Sequence, residues 1–147
     1  MKLNSSEIQA LIPNRFPIFY MDGVQEMEAD QSIMAIKNVT VNESFVNSYL
    51  PGQFIMPSTL IIESLAQAAS IFILSSPSFK NKTAYLGGIP QAEFLMDVKA
   101  GDQLQLKVEL KKQRQNIGLV SCVALVHDQP AVTADLMFIV EDNEGDN

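Results

Sequence analysis

The stretch YLPGQFIMPSTLIIESLAQAASIFIL, Tyr49 to Leu74, decides how this chain is read. It opens on the turn dipeptide Pro51-Gly52, passes Pro57 and Ser58, and then runs through an apolar series broken mainly by Ser64, Ser70 and the pair Glu63 and Gln67. The series predicts a helix from about Ser58 to Leu74, ended by Ser75-Ser76-Pro77-Ser78. Residues four apart share a helix face, so Glu63 and Gln67 form one polar spot on a rod that is apolar nearly all round. Such a rod has to be buried. A carboxylate carried into an apolar sheath costs several kcal/mol unless it is paired or neutralised, so Glu63 is either a satisfied structural group or a working one.

The flanking sequence supplies the sheath. Asn4 or Ser6 can cap a short helix near the start, with Glu7 or Gln9 three residues on, and Pro13 stops it. Phe16 to Met21 reads as the beginning of a strand leading to a turn at Asp22-Gly23, and Val24–Ala29 and Ser32–Thr40 read as a strand pair. Val41 to Gln53 is polar and loop-like. After the helix come strand-like runs at Thr83–Gly87, Ala92–Met96, Leu104–Lys112, Gly118–Val126 and Ala131–Val140, the last after the turn His127-Asp128-Gln129-Pro130. The alternation in Gln103–Leu110 is strict, which marks one covered face and one wet face. Short helix, hairpin, long buried helix and successive antiparallel strands make an α+β pattern. One sheet can enclose an apolar helix only by curling about it. Even then part of the helix stays uncovered, so a partner subunit is expected to complete the burial.

A chain of 147 residues fits one domain with a real core. With 47% hydrophobic and 18% charged residues it is not a disordered polymer. The helix is too short and too polar at Glu63 and Gln67 to span a bilayer. A net charge of −7 disfavours nucleic acid and acidic membrane surfaces as partners. Part of that charge lies in Glu141–Asn147, expected to fray. The N-terminus lacks the apolar core of a signal peptide, and Cys122 is the single cysteine; both point to a cytoplasmic protein. Cys122 sits in alternation with Val120, Ala124 and Val126 and reads as a packing residue. No His/Cys/Asp spacing suits a metal, and neither metal nor cofactor is expected.

Several motifs carry a resemblance over most of the chain: Leu11–Pro17, Ala35–Thr40, Tyr49–Gly52 with Met56-Pro57, Leu60–Gln67, and Ala100–Leu104. In these the sequence resembles the FabZ-like β-hydroxyacyl-acyl-carrier-protein dehydratases of fatty-acid synthesis, members of the hotdog superfamily. The resemblance implies a curved antiparallel sheet around one long helix, a homodimer or a trimer of dimers, and acyl tunnels between subunits. It also implies acyl carrier protein or coenzyme A thioesters as partners. In the family a loop histidine of one subunit and the helix glutamate of the other remove water from a 3-hydroxyacyl thioester, while an N–H at the helix start polarises the carbonyl.

Carried over residue by residue, Glu63 falls on the family's glutamate and Tyr49 on its histidine, and these are the candidate catalytic residues. Gly52, Pro57, Ser58, Thr59 and Gln67 are the candidate substrate-binding residues, with Ser58 standing where the family usually has glycine. The change at Tyr49 is chemically large. An imidazole is a working base at pH 7, whereas a phenol is ionised there to only about one part in a thousand. His127, the only histidine, falls in a late turn. Between the Gly-Gly turn and Asp102 the family usually places several basic residues; here the stretch Gln91–Asp97 carries two acids instead, Glu93 and Asp97, and carrier recognition is expected to rest on Lys107, Lys111, Lys112, Arg114 or Arg15. The expectation is a diverged homologue that binds acyl thioesters and dehydrates them weakly or not at all. The alternatives are a thioesterase built on Glu63, a partner subunit in a heterodimer with a histidine-bearing paralogue, and a non-catalytic scaffold or acyl sensor.

Overall fold

The computed structural model describes residues 2–143. Seven strands form one antiparallel sheet: β1 (Leu3–Asn4), β2 (Gly23–Glu28), β3 (Ser32–Asn38), β4 (Lys82–Phe94), β5 (Gln103–Arg114), β6 (Ile117–Val126) and β7 (Gln129–Asp142). Their spatial order is β1-β2-β3-β5-β6-β7-β4, so β4 is an edge. Three helices accompany them: α1 (Ser5–Gln9), α2 (Ser44–Ser48) and α3 (Ser58–Leu74), with a 3₁₀ turn at Pro77–Phe79. The sheet curls so that β3, β5, β6, β7 and β4 all pack on α3, which is the hotdog arrangement.

The pleat explains the curl's inner lining. Along β7, Val132, Ala134, Leu136, Phe138 and Val140 are buried while the residues between them are half exposed, and Leu104, Leu106 and Val108 do the same along β5. They meet Ile61, Leu65, Ala68 and Ile71 of α3, whose small residues let the sheet approach closely. Thirteen of the seventeen residues of α3 are buried. The other four are Thr59, which is exposed, and Ser58, Leu60 and Glu63, which are half-buried, all in its N-terminal half.

Five local expectations are corrected. Phe16–Met21 is not a strand: the amide of Tyr20 is bonded by the Gln67 side chain rather than by a neighbouring strand. Asp22-Gly23 is not a turn, because the Asp22 N–H donates to Ile36 O at 3.0 Å and Gly23 opens β2. The loop Val41–Gln53 contains α2, started by the Val46 and Asn47 amides donating to Glu43 O. The runs Thr83–Gly87 and Ala92–Met96 belong to one strand, β4, whose register against β7 shifts between Leu86 and Gly88 and again between Gly88 and Gln91. Those bulges absorb the glycines and Pro90 that read as a break. The acidic C-terminal segment divides: Glu141 and Asp142 pair with Thr83 and Lys82 in the sheet, and residues 144–147 lie outside the described residues.

His127 has a plain structural setting. With Asp128 it forms the two-residue turn between β6 and β7, both at positive φ (48° and 64°), the conformation that an asparagine-glycine pair adopts with least strain. The double substitution His127→Asn with Asp128→Gly is expected to raise the unfolding free energy by about 1 kcal/mol. Urea titration of the double variant measures this, and no gain would mean that the turn is already relaxed.

Candidate functional site

The polar spot on α3 is built from the glutamine. Gln67 is 1% exposed, so each of its amide atoms needs a partner. Its Oε1 accepts from the Tyr20 N–H at 3.0 Å, and its Nε2 donates to Glu63 Oε1 at 3.0 Å and to Ile18 O at 3.3 Å. One carboxylate oxygen of Glu63 is thereby fixed along the helix. Its side chain is half-buried, in the N-terminal part of α3.

The start of α3 carries unused donors. Pro57 occupies the capping position without a side-chain cap, and its carbonyl accepts from the Leu60 and Ile61 amides at 3.0 and 3.2 Å. The amides of Ser58 and Thr59 have no acceptor among the described residues. Two free N–H groups at the positive end of a seventeen-residue helix favour an oxygen that gains negative charge.

Tyr49 lies elsewhere in the protomer. It follows α2 as its C-terminal cap and is 53% exposed, and no hydrogen bond joins it to Glu63. Gly52, at φ +79°, makes the turn in which the Gln53 amide donates to Leu50 O at 3.0 Å. From there the chain returns through Ile55, bridged to Lys99, to Pro57. The structure therefore groups Glu63, Gln67, Ser58, Thr59 and Pro57 on α3, and sets Tyr49 and Gly52 on a separate exposed loop of the same chain.

A second polar cluster holds that loop and was not visible in the sequence. Lys37 is 4% exposed; its ammonium pairs with Glu43 Oε1, donates to Asn38 O at 2.9 Å and sits 5.9 Å from the centre of the Tyr20 ring. Glu43 Oε2 accepts from the Thr40 amide at 3.0 Å, and its carbonyl starts α2. Phe45 of α2 meets the Tyr20 ring edge-on at 5.5 Å. Tyr20 thus joins both clusters: its amide is bonded to Gln67, and its ring is packed between Lys37 and Phe45. Burial, then Glu63, then Glu43 raise its phenol above the ordinary range, so it stays neutral. A spacing of 47 residues separates Tyr20 from Gln67, and no local pattern encodes that contact.

The remaining candidates resolve simply. Cys122 is buried, with its thiol pushed up to about 12 by burial and then by Asp135, which makes it a poor nucleophile. Lys107 and Lys111 are paired with Glu109 (3.2 Å) and Asp135 (3.4 Å). The Arg15 guanidinium donates to the carbonyls of Gln9, Ile12 and Asn14, each at 2.8 Å, so it holds the chain after α1. Among the described residues no three His, Cys, Asp or Glu converge as a metal set, and no helix is long and apolar enough to cross a membrane.

A curled antiparallel sheet around a helix that presents one oriented carboxylate defines a hotdog protein with an acidic helix site. Comparison with known proteins narrows this: a family model described as a FabA-like domain matches residues 12–135. The 3-hydroxyacyl-[acyl-carrier-protein] dehydratase FabZ of Lactiplantibacillus plantarum is 56% identical over 138 residues, covering 94% of each chain. Among solved structures, the dehydratase heterocomplex ApeI:P from Xenorhabdus doucetiae superposes with a TM-score of 0.79 at 16% identity, covering 93% of this chain and 91% of that one. A hypothetical thioesterase with coenzyme A from Streptococcus pneumoniae gives 0.66 at 14%, covering 92% and 91%. These two likenesses speak for the fold. The chain belongs to the FabA-like family, in its FabZ-like branch of hotdog dehydratases.

Two measurements test the electrostatics. Lys37→Met leaves Glu43 without its cation and is expected to cost about 2 kcal/mol, less than the roughly 3–5 kcal/mol of a fully buried pair, because the Glu43 side chain keeps 21% exposure. Adding Glu43→Gln should recover part of the loss, and chemical unfolding of the three proteins gives the cycle. For Cys122 the folded pKa of about 12 lies above the unfolded value near 9, so its contribution is complete below pH 9 and is lost as pH climbs toward 12. Unfolding measured across that window should fall less steeply for Cys122→Ala.

Proposed function

We propose that this chain is a FabZ-like dehydratase homologue that binds acyl thioesters between two copies of itself and catalyses 3-hydroxyacyl dehydration only weakly. The observation that carries the reading is the placement of Glu63: oriented by Gln67, it stands half-buried in the same N-terminal part of α3 as the free Ser58 and Thr59 amides, the part of the helix that its own sheet covers least.

The edge strand favours a second copy as the missing cover. None of the thirteen residues of β4 is buried, and Tyr85, Leu86, Ile89 and Phe94 are exposed along it. Phe16, Ile18, Tyr49, Leu50 and Phe54 add further exposed apolar surface. A long bare edge with exposed large side chains is stable in water when it is paired, and a two-fold copy supplies an identical, antiparallel edge. Such dimers can assemble further into a trimer of dimers. In this arrangement the Tyr49 loop of one protomer closes over Glu63 of its partner.

Dehydration breaks the bond from carbon 2 to hydrogen and the bond from carbon 3 to oxygen, forms the double bond between those carbons and releases water. The Ser58 and Thr59 amides would hold the thioester carbonyl oxygen as it gains charge. Glu63 would deliver a proton to the departing hydroxyl, with Gln67 fixing its direction. Gly52 and Pro57 shape the loop that covers the thioester. The group that should take the carbon-2 proton is the weak member: the phenol of Tyr49 offers a proton to donate and at neutral pH hardly a site to accept one.

Hydration of a crotonyl thioester, the reverse reaction, is the test. Tyr49→His is expected to raise the rate roughly 10²- to 10⁴-fold. Glu63→Gln in that background should remove the gain, and sedimentation should find dimers or larger assemblies. Wild-type turnover at an ordinary enzymatic rate, not raised by Tyr49→His, would overturn the reading.

A further inference from the structure

Sorting the cations of this acidic chain by what they touch singles out one of them. Lys37, Lys82, Lys107 and Lys111 are in ion pairs, and the Arg15 guanidinium is spent on carbonyls. Of those without an acidic partner among the described residues, Lys112 and Arg114 lie toward the hairpin end of β5, and Lys80 follows the 3₁₀ turn after α3. Lys2 lies at the other end of the chain, before β1. Lys99 alone is built into the loop that carries Tyr49.

Its attachment there is firm. Ile55 and Lys99 form a bridge, the Met56 amide donates to Val98 O at 2.9 Å, and the Ala100 amide donates to Phe54 O at 2.9 Å. On the other side Asp102 grips the turn, accepting from the Lys99 amide at 2.9 Å and donating its own amide to Lys99 O at 3.0 Å. The backbone of Lys99 is therefore fixed from both sides, while its side chain is exposed. It lines a cleft of about 430 Å³ together with Gly52, Gln53, Phe54 and Val41, and among the described residues no carboxylate lines that cleft. A Cβ built on Gly52 would touch nothing within 4 Å, so the cleft is open at the turn itself.

We infer that Lys99 is a substrate-recognition residue that takes the phosphate of a phosphopantetheine thioester, the anionic end of the arm whose acyl end reaches Glu63. The inference rests on the acyl-thioester reading and adds to it the group that selects the carrier arm. Three features favour a phosphate. The cation is unpaired, so no ion pair must be broken. The cleft borders the loop bearing Tyr49, so an arm entering beside that loop passes it. On a molecule with net charge −7, long-range attraction for an anion is weak, and a fixed local cation has to supply the contact. Coenzyme A and a carrier protein both carry an anionic phosphate at this position of the arm, as part of a diphosphate in the first and as a diester in the second, so the residue would serve either source.

The experiment compares crotonyl-phosphopantetheine with crotonyl-pantetheine, which differ only in the phosphate, by calorimetric binding to the full chain. Wild type is expected to prefer the phosphorylated ligand by about tenfold, with a preference that shrinks as salt is raised. Lys99→Met keeps the aliphatic stem and should bind both ligands alike, whereas Lys99→Arg should retain the preference. Parallel titrations with crotonyl-CoA and crotonyl-carrier protein separate the sources: a loss in Lys99→Met confined to one of them names it. Equal binding of the two pantetheine ligands by wild type, or an undiminished preference in Lys99→Met, would overturn the inference and leave the acyl-thioester reading standing. Wild type that binds neither ligand would take down both.

Discussion

A buried primary amide has four hydrogen-bonding positions and no water to fill them, and the structure turns on how Gln67 meets that demand. Three of the four are filled, by the Tyr20 amide, the Ile18 carbonyl and the Glu63 carboxylate, so that both amide atoms are bonded. Each unmet bond would cost on the order of 1–3 kcal/mol. The contacts therefore oblige the segment before β2 to lie against α3, and they prevent Glu63 from turning freely. The same residue thus closes the sheath around the helix and aims the group that the sheath leaves accessible.

From that point the two halves of the candidate site are coupled within one protomer through Tyr20. Its backbone belongs to the Gln67 network and its ring to the cluster of Lys37, Glu43 and Phe45 that seats α2. A short helix of five residues has little stability of its own, since nucleation costs more than so few bonds return. Its position is set by the buried cation below it. The loop bearing Tyr49 is in this sense an extension of the core, with its far end stitched to Lys99 and Ala100.

Much of this was legible in the sequence where the physics is local. The boundaries of α3 follow from Pro57 and from the Ser75–Ser78 breaker, and the shared face of Glu63 and Gln67 follows from their spacing of four. Strict alternation placed β5, whereas the turn read at His127-Asp128-Gln129-Pro130 narrows to His127-Asp128, both at positive φ, and Gln129 and Pro130 open β7. What escaped is non-local. The aromatic run Phe16–Met21 has strand composition but spends its key amide on a helix side chain 47 positions away. Lys37 sits among apolar neighbours, and nothing nearby announces that it is buried on a glutamate that opens the next helix. Gly87, Gly88 and Pro90 look like the end of a strand unless the partner strand is known to accept bulges.

Those bulges have a bearing on how the molecule stays well behaved in a crowded cell. Each inserts one extra residue, so the first reverses which side chains point toward the helix and the second restores the original parity by Ala92. A bare edge of even pleat would accept any extended peptide in many alignments. An edge stepped twice within a few residues, with an imino acid at position 90, has few alignments in which its hydrogen bonds can be matched. The interruption that disguises β4 in the sequence is therefore also what guards it against indiscriminate β-stacking.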